Sequence, residues 1–168
     1  MKDVLNRMMF LLGFLVLFGL TACAPKPDGS GLGDVRQPIQ VNLQQHEDAG
    51  GHTIARHVAK DDNYLSERLD RNLRLDTVST FSSYEVAEAS VNAVLNSRRQ
   101  EVADWWRGDL ARQAFFARVP THGRYLTRQM WQDRVEAAYV PDQAVVRVVL
   151  VRRGDGFYVL TAFPQPDK

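Results

Sequence analysis

The chain holds one cysteine, Cys23, among 168 residues, so no intrachain disulfide can brace it and packing alone must hold the fold. Metal-site spacings are missing too. The four histidines, at positions 46, 52, 57 and 122, have no cysteine partners, and no His-Glu-x-x-His helix occurs. No phosphate-cradling glycine loop follows a strand, because Gly29-Ser30-Gly31-Leu32-Gly33 sits in a proline-rich stretch, and there is no Gly-x-Ser-x-Gly elbow. These absences argue against a metalloenzyme, a nucleotide hydrolase and an esterase. Nor is there an excess of charge. The chain has 21 lysines and arginines against 20 aspartates and glutamates, so no global field draws it onto nucleic acid. Its one long apolar run, Met8 to Leu20, falls short of the ~20 residues that a membrane-crossing helix needs.

That run defines the N-terminus. Basic Lys2 and Arg7 precede it and small residues follow, which is the layout of a secretory signal peptide over residues 1–22. Leu20-Thr21-Ala22-Cys23 resembles the bacterial lipobox. The resemblance implies a diacylglycerol on the Cys23 thiol, cleavage before it, and a mature lipoprotein beginning at Cys23. Several acyl chains anchor far more firmly than one. Ala24 and Pro25 follow with no aspartate, which points to the outer membrane, facing the periplasm or the cell surface. Losing residues 1–22 removes two of the 21 bases and one of the 20 acids, so 19 of each remain.

Residues 23–46 read as a lipidated flexible tether, with Pro25, Pro27 and Pro38 among several glycines. Within it Ile39, Val41 and Leu43 alternate with polar residues, as in a short strand. Residues 47–168 form the folded domain. Thr53–His57 predicts a short helix entered through Gly50-Gly51. A second helix covers 62–72, capped by Asp61 or Asp62, with Tyr64, Leu65 and Leu69 in apolar rhythm. Ser82 and Glu85 stand at capping-box spacing before a helix striped by Val86, Ala89, Ala93 and Val94. Asn96-Ser97 interrupts it, and another helix carries Trp105 and Trp106 to Gly108. The period then changes. Strands are expected over 114–119, ended by Pro120, and over 125–128. A hairpin joins 144–151 to 157–163 through Gly154-Asp155-Gly156, with Val145, Val149 and Val151 on one face. Helices first and strands later predict an α+β fold, N-terminal helices packed on a C-terminal antiparallel sheet.

Two stretches carry the candidate chemistry. The first is Gly50-Gly51-His52-Thr53-Ile54-Ala55-Arg56-His57-Val58, with Arg68 eleven residues after His57; the second is Val159-Leu160-Thr161-Ala162-Phe163-Pro164. A histidine exchanges protons near neutral pH, and an arginine can grip phosphate through two parallel hydrogen bonds. Such a pair suits phosphodiester chemistry, and it suits surface decoration equally well.

These stretches, a Leu-x-x-Arg-Leu at 65–69, a Ser-x-Phe segment at 79–81 before an alanine-rich helix, and a tryptophan-containing helix resemble the bacterial RNase A-like toxin domain. That domain ends contact-dependent growth inhibition proteins. The similarity spans about residues 47–166. It implies an RNase A-like fold without that fold's disulfides and a ribonuclease that needs no metal or other cofactor. The implied catalytic residues are His57, Arg68 and Thr161. Phe163 stands where an active member usually has tyrosine.

The implied reaction is attack of the ribose 2′-hydroxyl on the adjacent phosphorus, giving a 2′,3′-cyclic phosphate and a 5′-hydroxyl. His57 transfers a proton, as base or acid. Arg68 holds phosphate, and Thr161 bonds phosphate or a base edge. DNA is spared because it lacks the 2′-hydroxyl. His52 and Lys60 are further candidates. On one helix His52 would point about 140° away from His57, and it is open to a proton-carrying role or to bracing the helix start. Lys60 would add charge near His57. His122 is the weaker alternative. The tryptophans are expected to pack, and Arg147, Arg152 and Arg153 to form a solvated face or line an RNA groove. The expected protein is a lipid-anchored ribonuclease toxin of interbacterial competition, with RNA as substrate and an immunity protein as partner. Phe163 motivates the alternative of an inactive envelope lipoprotein that uses the fold as a binding module; a periplasmic RNA scavenger is the third reading.

Overall fold

The computed structural model describes residues 32–34 and 36–166; the expected signal peptide and Cys23 lie outside the described residues. The elements run α1 (Leu43–Asp48), α2 (Thr53–His57), α3 (Asp62–Arg71), β1 (Thr77–Phe81), α4 (Tyr84–Ser97) and α5 (Arg99–Arg107), then β2 (Arg112–Pro120), β3 (Gly123–Thr127), α6 (Arg128–Gln132), β4 (Ala138–Tyr139), β5 (Gln143–Arg153) and β6 (Gly156–Gln165). Two antiparallel sheets form, ordered β2-β5-β6 and β1-β3-β4. The α+β expectation holds, and so does the C-terminal hairpin.

Several local details differ from the sequence reading. Ser83, not Ser82, caps α4 by accepting from the Val86 amide. The buried stripe of α4 is Ala87, Ser90, Val91, Val94 and Leu95, while Ala89 is exposed. Val145, Val149 and Val151 of β5 do share a face, with Arg147, but the face turned to the main core is the other one, made by Ala144, Val146, Val148 and Leu150. A strand this rich in valine does not announce which parity is buried. β1 shows no alternation at all, because four of its five residues are buried and two of those are Ser79 and Thr80.

β1 joins two cores. Phe81 enters the main one, which α4, α5 and the inner faces of β2, β5 and β6 fill. Val78, with Leu65 and Leu69 of α3 and Leu126 of β3, makes the second. Ser79 lies between them, and its hydroxyl donates to the Pro164 carbonyl at 2.6 Å, tying one sheet to the other.

The supposed tether is in its latter part an arm packed on α4. Ile39, Val41 and Leu43 are buried. The Asn96 side chain accepts from the Ile39 amide at 2.9 Å and donates to its carbonyl at 2.7 Å. Asn92 makes the same pair of bonds to Val41, and Glu88 accepts from the Leu43 amide. The match is geometric. Two extended residues advance about 6.6 Å and four helical residues about 6 Å, so side chains at i, i+4 and i+8 meet alternate residues of the arm. Asn96→Ala orphans both backbone groups of Ile39, and is expected to cost about 2 kcal/mol in urea unfolding; an unchanged midpoint would contradict this docking.

Candidate active site

The opening motif is built to dock on β6. Gly50 has φ +114°, a conformation that favours glycine. At Gly51 a Cβ would lie 2.4 Å from the Val159 carbonyl oxygen, so only glycine lets the chain come this close. The next amide, that of His52, donates to the Leu160 carbonyl at 2.9 Å. Leu160 is the extra residue of a β-bulge, since Val149 pairs with Thr161 while Leu150 pairs with Val159. Buried Thr53 then accepts from the Ala162 amide through its hydroxyl at 2.9 Å. The Glu47 carboxylate accepts from the Ile54 and Ala55 amides, both at 2.9 Å, and satisfies the start of α2. These bonds set His57, the last residue of α2, against β1 and β6.

His57 is only 5% exposed. Its Nδ1 lies 3.0 Å from the Ser79 carbonyl oxygen. Its ring stacks on Phe163, centroids 5.0 Å apart and planes 22° from parallel. Burial pushes the imidazole pKa down to about 3; the Ser79 carbonyl opposes this, while Arg68, His52 and Arg56 add to it. The ring is neutral at pH 7. A carbonyl can only accept, so the proton sits on Nδ1 and the lone pair on Nε2.

Arg68 is half-buried on α3. Its guanidinium donates to the Arg56 carbonyl at 3.2 Å and lies 6.0 Å from the Tyr64 ring centroid. Burial lowers its pKa first of all. Neither neighbouring acid neutralises it: Glu67 pairs with Arg71, and Asp61 caps α3. Thr161 is 8% exposed, and its hydroxyl is buried with no hydrogen-bond partner among the described residues.

His57, Arg68, Thr161, Phe163 and His52 all line one cleft of about 720 Å³ at the junction of the two sheets. His52 precedes α2, with φ −151° and ψ 29°, so the helical angle that would separate it from His57 does not apply. Its pKa is lowered by partial burial and then by Arg56. Lys60 is not in the cleft. Val58 bridges to Phe81 and Ala59 takes φ 50°, which turns the chain away, and the Lys60 ammonium lies 5.3 Å from the Tyr64 ring centroid. His122 also lies elsewhere, 3.4 Å from the Asp142 carboxylate. Sequence reasoning passed over Ser79, Arg56 and Arg118 as parts of this site; the Ser-x-Phe segment was the only pointer to the first.

The other expectations divide. Trp105 packs in the main core. Arg152 is a staple rather than a solvated residue. It lies over the rings of both Trp105 and Trp106 and donates to the carbonyls of Trp105, Trp106 and Gly108. Arg153 donates to the Ala49 carbonyl. Among the described residues no cluster of three or more histidine, cysteine or acidic side chains gathers that could hold a metal ion.

A profile of the bacterial CdiA-CT RNase A domain matches residues 51–164, a span that includes His52, His57, Arg68, Thr161 and Phe163. The chain belongs to this family. Its CdiA-CT RNase A domain is thus an endoribonuclease domain of the toxin type. It is also similar to a solved structure, the crystal structure of a CdiA-CT/CdiI complex from Y. kristensenii 33638. The TM-score is 0.57 at 22% identity, over 69% of this chain and 100% of that one, which establishes a common fold. No curated protein matches. In this CdiA-CT RNase A domain the arm and α1 precede the matched span, yet Glu47 from α1 holds the start of the helix that carries His57.

Proposed function

We propose that the domain cleaves RNA by 2′-hydroxyl transphosphorylation without a metal ion. The observation that carries this reading is the sharing of one cleft by a neutral anchored imidazole and, among the described residues, a guanidinium without a carboxylate partner and a threonine hydroxyl without a hydrogen bond. The 2′ oxygen attacks phosphorus, so the O2′–P bond forms and the P–O5′ bond breaks. His57 Nε2 takes the 2′ proton. Arg68 and the Thr161 hydroxyl meet the charge that grows on the non-bridging oxygens. The 5′ oxygen leaves with a proton from His52, whose pKa rises when the phosphate anion enters beside it. The test uses the chain without residues 1–22 and with Cys23→Ser, incubated with transfer RNA and EDTA. Cleavage leaving cyclic phosphate ends is expected. Intact RNA at high protein concentration would sink the proposal. A fragment starting at residue 47 is unsuitable, because it lacks the arm and most of α1.

Phe163 supports a second reading, the binding module. Its ring stacks on His57 where the family resemblance places a hydroxyl. Phe163→Tyr is expected to raise turnover about tenfold or more by adding a proton donor or phosphate contact. If neither parent nor variant cuts RNA while both bind it, the module reading wins.

We further propose that a lipid on Cys23 anchors the protein in the outer membrane, and that it acts as a toxin after transfer into a competitor. The solved relative's title names a complex with CdiI, and a comparable immunity protein in the producer fits this role. Mass spectrometry of the mature N-terminus would test the lipid directly.

A further inference from the structure

Arg147 stands apart from the other arginines of the hairpin. Arg152 and Arg153 give their donors to backbone carbonyls. Arg147 makes no hydrogen bond and no ion pair among the described residues, and its Nε is buried without a partner. A buried donor left unmade costs about 1–3 kcal/mol. The guanidinium is held between two rings, 5.5 Å from the Phe116 centroid and 5.9 Å from that of Phe163. The register explains the sandwich: Phe116 and Phe163 are its direct partners on β2 and β6. Only Nε is shut off, so the two terminal nitrogens are the donors left to meet solvent. Phe116 is 42% exposed, and this face of the sheet is open there.

Position gives the group its meaning. Phe163 touches both groups: its ring stacks on the His57 imidazole and lies beside the Arg147 guanidinium. The guanidinium carbon therefore lies at most about 11 Å from the His57 ring centre, the sum of 5.0 and 5.9 Å. That is within reach of the next nucleotide of a strand lying in the cleft. We infer that Arg147 is a second phosphate subsite, which takes the RNA phosphate adjacent to the scissile one on the open face of the β2-β5-β6 sheet. A guanidinium held between two rings is restrained in advance, so it loses less freedom on gripping a phosphate. This inference rests on the nuclease reading for the identity of the ligand, and on the Phe116–Arg147–Phe163 geometry for the site itself.

The test is binding, not turnover. The chain lacking residues 1–22, with Cys23→Ser, is titrated with a fluorescent single-stranded oligoribonucleotide whose 2′ oxygens are methylated, so that it cannot be cut. Arg147→Met keeps the bulk and the ring packing but removes the charge. It is expected to weaken binding about tenfold and to reduce the slope of log K against log salt by about 0.7, the share of one phosphate on a single strand. Arg147→Lys should keep the slope and lose part of the affinity. Unchanged affinity and slope in Arg147→Met would overturn the subsite, as would a loss of affinity with no change in slope, which marks a purely structural role. If the parent binds in an Arg147-dependent way but leaves unmodified RNA intact, the nuclease reading fails and the subsite stands. If it cuts RNA and Arg147→Met binds as the parent does, only the subsite fails.

Discussion

His57→Ala is expected to lower RNA cleavage by about 10² to 10⁴-fold, the range for loss of a general base. The substitution removes the buried imidazole of the cleft, whose Nδ1 rests on the Ser79 carbonyl and whose Nε2 carries the lone pair. His57→Gln is the partner measurement, since it can still donate to Ser79 while its acid–base chemistry is gone. Both variants should show the same loss of turnover in an assay for cyclic phosphate ends, with circular dichroism unchanged. A variant that kept a tenth of the parent rate would remove His57 from the reaction. Arg68→Lys probes a different term. Lysine keeps the charge but loses the paired donors, so phosphate binding should weaken more than folding does.

Acid should destabilise this protein well before its carboxylates are protonated. Two histidines are buried in the neutral form. Burial pushes His46 down to about 4 and His57 down to about 3, against an unfolded value near 6.5. Both folded pKa values lie below the unfolded one, so the unfolded chain binds the extra protons. Stability is then complete above about pH 6.5 and falls as the pH drops toward 4 for His46 and 3 for His57. Lowering the pH from 7.5 to 4.5 is expected to cost about 5 kcal/mol in total, a large part of the 5–15 kcal/mol typical of a domain. His46 contributes independently of the cleft. It is 2% exposed, lies 5.1 Å from the Phe157 ring, and its Nδ1 has no partner among the described residues. Denaturant unfolding at several pH values measures the slope. In His46→Leu or His57→Gln the slope should halve over this window, and a flat profile in the parent would refute the account. The two expectations meet in His57: the burial that keeps its ring neutral at pH 7 also weakens it as a base, and it makes the fold sensitive to acid.

Much of the architecture was readable because it is local. α2, α3 and the break between α4 and α5 follow from apolar spacing and capping residues within a few positions, and the hairpin from a Gly-Asp-Gly turn between valine-rich runs. What was not readable depends on partners far along the chain. β1 is a short polar strand whose serine and threonine are buried because β6 and α2 lie against them, so its pattern imitates a loop. The arm at 39–43 has the composition of a linker, yet Asn92 and Asn96 supply the bonds that a neighbouring strand would have made. α6 and β4 are too short to leave a periodic trace.

The chain alone named the candidate groups: the histidine and arginine of the early helices and the threonine of the last strand, each beside a motif residue that the fold uses to dock α2 on β6. Only the three-dimensional fold decided which of them meet. It brought His52 beside His57 by ending the helix one residue short of it, and it turned Lys60 away through Ala59. Of three similar arginines it bound two to carbonyls and left Arg147 without a hydrogen bond among the described residues. The reason is range. Spacing along a sequence fixes direction within one element, whereas the convergence of a site depends on strand register, and register is set by contacts a hundred residues apart.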